Sequence, residues 1–358
     1  MGIILDANKM PMLCGISFGY DLKRDDYLTD APLHSLEAMV SETNANTVIF
    51  AFHAMQDDAQ STQIDYQGEE TPTKEGLKRV VDKARELGLY VILKPMLDCR
   101  NGTWRAHINF FDHDVPCEPK WSEWFTSYTE YQVHFAKIAQ ELNVDMVCIA
   151  CEMVQTQRRE QDWRNCINEI RKYYDGPLTW NCDKYQEEHV PFWDALDVIS
   201  ASGYYPIDNW DMQLSRIEQV VQKYQKPFFF IECGCMTCKS SPMVPNNWMR
   251  FENELKQAAK EANIEYDRNA FQINNLSDSV HKDILKSVVD FDSQSSFYET
   301  VLSTCEKYSF VRGFGLWDWE GKLQFDENTV KYDGGYGIHL KQSANVVNRY
   351  YTKWRKMY

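Results

Sequence analysis

Short apolar, β-branched or aromatic runs recur along the chain at Met12 to Phe18, Thr47 to Phe52, Tyr90 to Leu93, Met146 to Ala150, Leu178 to Trp180, Val198 to Ser200, Phe228 to Ile231 and Val311 to Trp317. Runs of this length with little polar alternation read as buried strands. Between them the apolar period changes to that of a helix. In KEGLKRVVDKARELG, Leu77, Val80, Val81, Ala84 and Leu87 fall on one face and Gly88 ends the pattern. Helical patterns also cover LHSLEAMVSET after Pro32, and then Trp121 to Leu142, Trp163 to Tyr174, Met212 to Tyr224, Ser296 to Tyr308 and Ala344 to Met357. Buried strands alternating with helices predict an α/β protein of the (β/α)8 TIM-barrel class. A doubly wound sheet is the alternative, but its Gly-rich phosphate turn is missing after the first strand, where the chain reads SFGYD.

The alternation also settles domain organisation. A length of 358 residues would suggest two domains at ~150 residues each, yet α/β barrels routinely exceed 250 residues as one unit. The expectation is a single barrel domain over 1–358 with an insertion around 249–292 before the eighth strand, charged and moderately helical. A second long connection, Met96 to Lys120, follows the third strand. It carries Asn101, Trp104, Arg105 and His107 on the face where barrels bind substrate.

In such a barrel the residues just after each strand form the site. They are Phe18, Gly19 and Tyr20; His53; Lys94; Glu152; Asn181 and Asp183; Tyr204 and Tyr205; Glu232; and Trp317, Asp318 and Trp319. The two glutamates stand out, because CIACEMVQ and PFFFIECGC each deliver a carboxylate to the end of a buried run. A strand-terminal acid alone often caps a helix or pairs with arginine. Two of them, on strands four and seven, can face each other across the mouth and flank a glycosidic bond. A separation of about 5 to 5.5 Å allows direct attack and retention, whereas about 6.5 to 9.5 Å admits a water and inverts; strands four and seven suggest the former.

Composition narrows the partners. A net charge of −15 with no offsetting basic patch argues against nucleic acid and anionic membranes. Aromatic residues reach 14 %, including eleven Trp and twenty Tyr, and flat weakly polar rings suit the faces of sugars. No stretch approaches the ~18 apolar residues of a membrane helix, and the N-terminus MGIILDANKMPMLCG lacks a signal pattern. Eleven cysteines, an odd number with several inside buried strands, fit a reducing cytoplasm. Cys233, Cys235 and Cys238 could be read as zinc ligands, but no fourth ligand has suitable spacing, and no metal or cofactor is expected. His53, His107 and His113 read first as orienting substrate or satisfying local hydrogen bonds, with sugar binding the minor reading, Trp121 and Trp124 read as packing, and RREQDWR as the solvated start of a helix.

The segments LKPMLDCRNGTWRAHINFFD, CEMVQTQRRE, TWNCDKYQEE, DVISASGYYPI, PFFFIECGC and VRGFGLWDW, in that order, resemble glycoside hydrolase family 113, the β-mannanases of clan A. The resemblance runs from about Cys14 to Trp319. It implies a retaining hydrolase of β-1,4-mannosidic bonds with Glu152 as acid/base and Glu232 as nucleophile. It further implies that Tyr204 hydrogen-bonds the nucleophile and that Trp317 floors the reacting sugar's subsite. Lys94, Trp104, Arg105 and Asn181 are then placed to bind or stack on manno-oligosaccharide. Most of the clan carries Asn immediately before the acid/base; here Cys151 stands there, a departure that family 113 shares and that leaves the sugar 2-hydroxyl without an evident partner. Other β-glycosidase specificities, glucan or exo-mannosidase, and a non-catalytic sugar-binding barrel are the competing readings.

Overall fold

Eight parallel strands close into a barrel in strict chain order in the computed structural model, which describes residues 10–245, 248–272, 275–276 and 278–357. The strands are β1 (Leu13–Phe18), β2 (Thr47–Gln56), β3 (Tyr90–Cys99), β4 (Met146–Cys151), β5 (Leu178–Cys182), β6 (Val198–Ser202), β7 (Phe228–Cys233) and β8 (Val311–Trp319). The first nine residues, most of the N-terminal stretch read above for a targeting signal, lie outside the described range.

Every apolar run is a strand, and most strands outlast their runs. β2 and β3 pair residue for residue from Thr47↔Tyr90 to Gln56↔Cys99, so this ribbon rises above the rim and carries His53, Lys94 and Asp98 upward. The barrel is filled rather than hollow. Leu13, Ile49, Ile92, Met146, Cys148, Val198, Phe229 and Ile231 form its interior, and Ala51, Met96 and Cys151 make a layer under Tyr20 and Trp317 at the mouth. Alternate residues face the helices, where a continuous apolar shell includes the fully buried Trp124, Trp163, Trp180 and Trp210.

The helices are α1 (Ala31–Thr43), α2 (Lys74–Glu86), α3 (Trp121–Glu141), α4 (Glu160–Ile170), α5 (Trp210–Tyr224), α6 (Trp248–Glu261), α7 (Ser279–Val288), α8 (Phe291–Cys305) and α9 (Gln342–Met357). In α2, Thr73 caps the first turn by accepting from the Gly76 amide at 3.1 Å. Leu77, Val80, Val81 and Ala84 are its buried stripe, and Gly88 takes φ 74° just past its end. The alternation lapses between β5 and β6, where two short 3-10 turns at Glu187–His189 and Trp193–Ala195 replace a helix. The expected excursion before the eighth strand contains α6 and α7, which share a small separate core of Leu255, Ala259, Phe271, Ile284, Leu285 and Val288 with Met236 and Cys238. Three of its residues, 273, 274 and 277, are outside the described range. Among the described residues no helix is long and apolar enough to cross a membrane.

Candidate active site

Both glutamates reach the mouth through breaks in strand regularity. On β7, Phe229 and Ile231 point into the barrel and Phe230 and Cys233 point outward, so Glu232 is the extra residue of a register shift between Phe230 and Cys233. Such a bulge re-aims a side chain that strict alternation would hide behind the sheet. On β4 the register shifts between Cys148 and Cys151, and Glu152 follows with φ 52°, a left-handed conformation that costs an ordinary side chain about 1 kcal/mol or more. Its amide donates to the Asn181 carbonyl at 2.8 Å, which fixes the turn.

The two carboxyl groups are 7 % and 4 % exposed and have different company. Glu232 Oε1 is in ion-pair contact with the wholly buried Lys94 and accepts from the Cys151 thiol at 3.2 Å, while Oε2 accepts from the Tyr204 hydroxyl at 2.9 Å. Burial by itself would raise its pKa, but the Lys94 charge and hydrogen bond outweigh burial, and the group is held below the usual carboxylate range. Glu152 Oε1 accepts from Ser202 at 2.7 Å and Oε2 from the Trp104 indole at 3.3 Å. Burial, then the negative charges of Glu232 and Asp183, push it up to about 7. One carboxyl is therefore ionised and its neighbour holds a proton near neutrality. That pairing can protonate a leaving oxygen on one side and present a carboxylate on the other.

A hydrogen-bonded chain links them beneath the cleft. Ser202 receives a bond from Asn181 Nδ2 at 2.9 Å, and Asn181 Oδ1 lies 3.3 Å from Cys151 Sγ. Burial and the adjacent Glu232 raise the Cys151 thiol well above its ordinary pKa, so it stays a neutral donor. Arg105 Nη1 bonds its sulfur at 3.1 Å. Arg105 is clamped in turn by Asp98, which also accepts from His53 Nδ1 at 2.6 Å. His53 Nε2 meets the Tyr20 carbonyl at 2.8 Å.

Of the residues singled out from sequence, the structure gathers Glu152, Glu232, Lys94, Trp104, Arg105, Asn181, Tyr204 and Trp317 around one mouth. Their surroundings differ. Trp104 is 40 % exposed and borders a cleft of about 810 Å³ with Tyr20, His53, Asp98, Glu152 and Lys184. Arg105, 5 % exposed, lines the same cleft with its guanidinium on Asp98 and Cys151, and Lys94 and Asn181, both 0 % exposed, lie against Glu232 and Ser202. Trp317 is half-buried, with the Tyr20 ring edge-on at 4.9 Å and the Lys94 ammonium 5.5 Å from its centroid. Other strand-end residues turn away. Phe18 and Trp319 belong to the helix-side core, and Tyr205 pairs with Glu187 behind the mouth. Trp121 and Trp124 are packing residues. Cys238 bonds Ser241 at 2.8 Å, and among the described residues no group of three or more His, Cys, Asp or Glu is placed to hold a metal ion.

Ser202 and Asp98 were not foreseen. Both lie on strand extensions past the last apolar residue, and carrying each strand two to six residues further would have exposed them.

Comparison with known proteins places the chain in a family. The family model for Glycoside Hydrolase Family 113 matches residues 16–282 and 277–341. A solved GH113 β-1,4-mannanase is 43 % identical over 96 % of this chain and 99 % of its own, with a TM-score of 0.83. The GH113 β-mannanase of Alicyclobacillus acidocaldarius, solved in complex with ManMIm, is 31 % identical over 97 % and 99 %, with a TM-score of 0.82. A β-glucuronidase from Ruminococcus gnavus, 13 % identical with a TM-score of 0.58, shares the fold alone over half its length. A comparison with curated proteins gives no significant match. With the barrel, the paired glutamates and a family match spanning nearly its whole length, the chain belongs to glycoside hydrolase family 113.

Proposed function

We propose that the protein is a retaining endo-β-1,4-mannanase in which Glu232 is the nucleophile and Glu152 the general acid and then base. The observation that carries this is the opposed state of the two carboxyl groups, one ionised against Lys94 and one protonated near neutrality. Glu232 attacks the anomeric carbon while Glu152 protonates the departing oxygen. Glu152, now ionised, draws a proton from water, and the hydroxide oxygen displaces Glu232 from the same face that the aglycone left. Trp104, whose indole holds Glu152, floors the leaving-group side, and Trp317 the side of the attacked sugar. Arg105, Asn181 and Cys151 keep the two carboxyls in register from below. The substrate assignment rests on the two mannanase relatives.

A cytoplasmic setting and a diet of imported manno-oligosaccharides follow from the same reading, supported by eleven cysteines that form no disulfide. Hydrolysis of β-1,4-mannohexaose watched by proton NMR tests the whole assignment. The β-anomer is expected first, with internal cleavage among the products, and Glu232→Gln should bind the oligosaccharide yet turn over at least about a thousandfold more slowly. Initial α-anomer, or near-wild-type turnover by Glu232→Gln, would overturn it.

A further inference from the structure

The excursion between β7 and α8 is joined to the mouth of the barrel through the loop 333–337. Phe251 of α6 packs so tightly on Gly334 that any side chain at 334 would collide with its ring. Thr237, four residues past the end of β7, donates its amide to the carbonyls of Gly334 and Gly335, both at 3.1 Å, and its hydroxyl to Gly335 at 2.9 Å. Lys341, almost without exposure, binds Thr237 Oγ1 at 2.7 Å and Asp333 at 2.8 Å. Gln294 of α8, fully buried, bridges the carbonyls of Cys235 at 2.8 Å and Tyr336 at 3.0 Å. A loop pinned this thoroughly, on both flanks, holds its side chains in fixed places.

Tyr336 lies on this loop, packed against the small core of α6 and α7 on one side and beside Tyr204 on the other. Its ring centroid is 6.2 Å from that of Tyr204, the donor to Glu232, and its Cδ1 would be 3.2 Å from a Cβ at Gly234, two residues past Glu232. A Cβ there would collide with the Trp317 carbonyl oxygen, so glycine at 234 lets the Trp317 backbone and the Tyr336 ring both close on the strand end. The Tyr336 hydroxyl has no hydrogen-bond partner among the described residues, and its phenol senses the charges of both Glu232 and Glu152. A half-buried phenol beside two reacting carboxyls, rigidly mounted and with a free donor, is suited to a hydroxyl of the bound pyranose.

We propose that Tyr336 is a further substrate-contacting residue, its hydroxyl bonding the sugar seated over Glu232, and that α6, through Phe251 on Gly334, is the buttress that positions it. This rests on the assignment of Glu232 and Glu152 as the reacting pair. Substrate orientation at the reaction centre then depends on helices that lie outside the barrel repeat.

The test compares kcat and KM on mannohexaose, and melting temperature, for the wild type, Tyr336→Phe, Phe251→Leu and the double variant. Tyr336→Phe is expected to keep its melting temperature and lose about tenfold in kcat/KM, the scale of one hydrogen bond to substrate. Phe251→Leu should lose a smaller factor, about threefold, that disappears in the Tyr336→Phe background. A Tyr336→Phe enzyme within twofold of an active wild type would overturn the contact. Equal losses from Phe251→Leu in both backgrounds would overturn the buttress. Because wild-type cleavage of mannohexaose is read in the same assay, either result counts against Tyr336 or Phe251 and leaves the mannanase reading standing.

Discussion

Glu152 and Glu232 are the same residue type at the ends of two parallel strands of one barrel, both nearly buried, and they are driven in opposite directions. Burial pushes both toward the protonated state, so burial does not distinguish them. The difference lies in what is delivered from elsewhere in the chain. Glu232 meets an ammonium group from β3, 138 residues away in sequence. Glu152 meets two neutral donors, an indole and a hydroxyl, and feels the additional charge of Asp183. A buried lysine at one end of the pair and extra negative charge at the other drive the two carboxyls apart.

That contrast can be broken from either end. The largest effect is expected at the protonated end. Glu152→Gln should slow mannohexaose hydrolysis about a thousandfold, yet cost far less with an aryl β-mannoside whose leaving group needs no proton. The wild type is expected to lose activity as pH rises through about 7, the value to which burial and the charges of Glu232 and Asp183 push Glu152, and the variant should lack that fall. Equal losses with both substrates would put the acid elsewhere.

Lys94→Met works on the other end. Removing the cation frees Glu232 to take up a proton at higher pH, so the acid limb of kcat/KM should move upward and the rate at neutral pH fall about a hundredfold. Breaking a buried pair leaves an uncompensated charge, and denaturant titration should report a loss of about 3 kcal/mol. An unmoved acid limb would show that Lys94 does not set the state of Glu232.

The smallest change sharpens the comparison. Ser202 favours the ionised form of Glu152, so Ser202→Ala should raise its pKa and shift the basic limb to higher pH, with the plateau rate changed only a few-fold. A shift to lower pH would contradict the assigned bond.

Periodicity exposed the barrel because two-sided burial of strands and one-sided burial of helices are local patterns, and both survive in the chain from Leu13 to Met357. It carried Glu152 and Glu232 as well, since an acid closing an apolar run is visible in a few residues. What it could not show were the irregularities. A register shift at Phe230–Cys233 is defined against neighbouring strands, and the left-handed turn at Glu152 has no glycine or asparagine to announce it. The Lys94–Glu232 pair and the Asp98 clamp on Arg105 join segments far apart in sequence, so their residue types were legible and their partners were not. Lys94, Arg105 and Asn181 read as sugar contacts from sequence, and the protein partners they also hold, Glu232, Cys151 and Ser202, come from distant segments and are invisible there. The small core around Phe271 and Leu285 was unreadable because its helices bury one another and Tyr336 follows only from the loop they support.

The left-handed φ at Glu152 bears on how this enzyme could be engineered. Asparagine and glycine tolerate that backbone with less strain, so a programme that ranked positions by conformational fit alone would choose position 152 early and would raise stability by erasing the proposed proton donor. With the acid/base role proposed for it, Glu152 is a place where thermostability and turnover compete for one side chain, and it belongs on the list of positions held constant before any such programme begins.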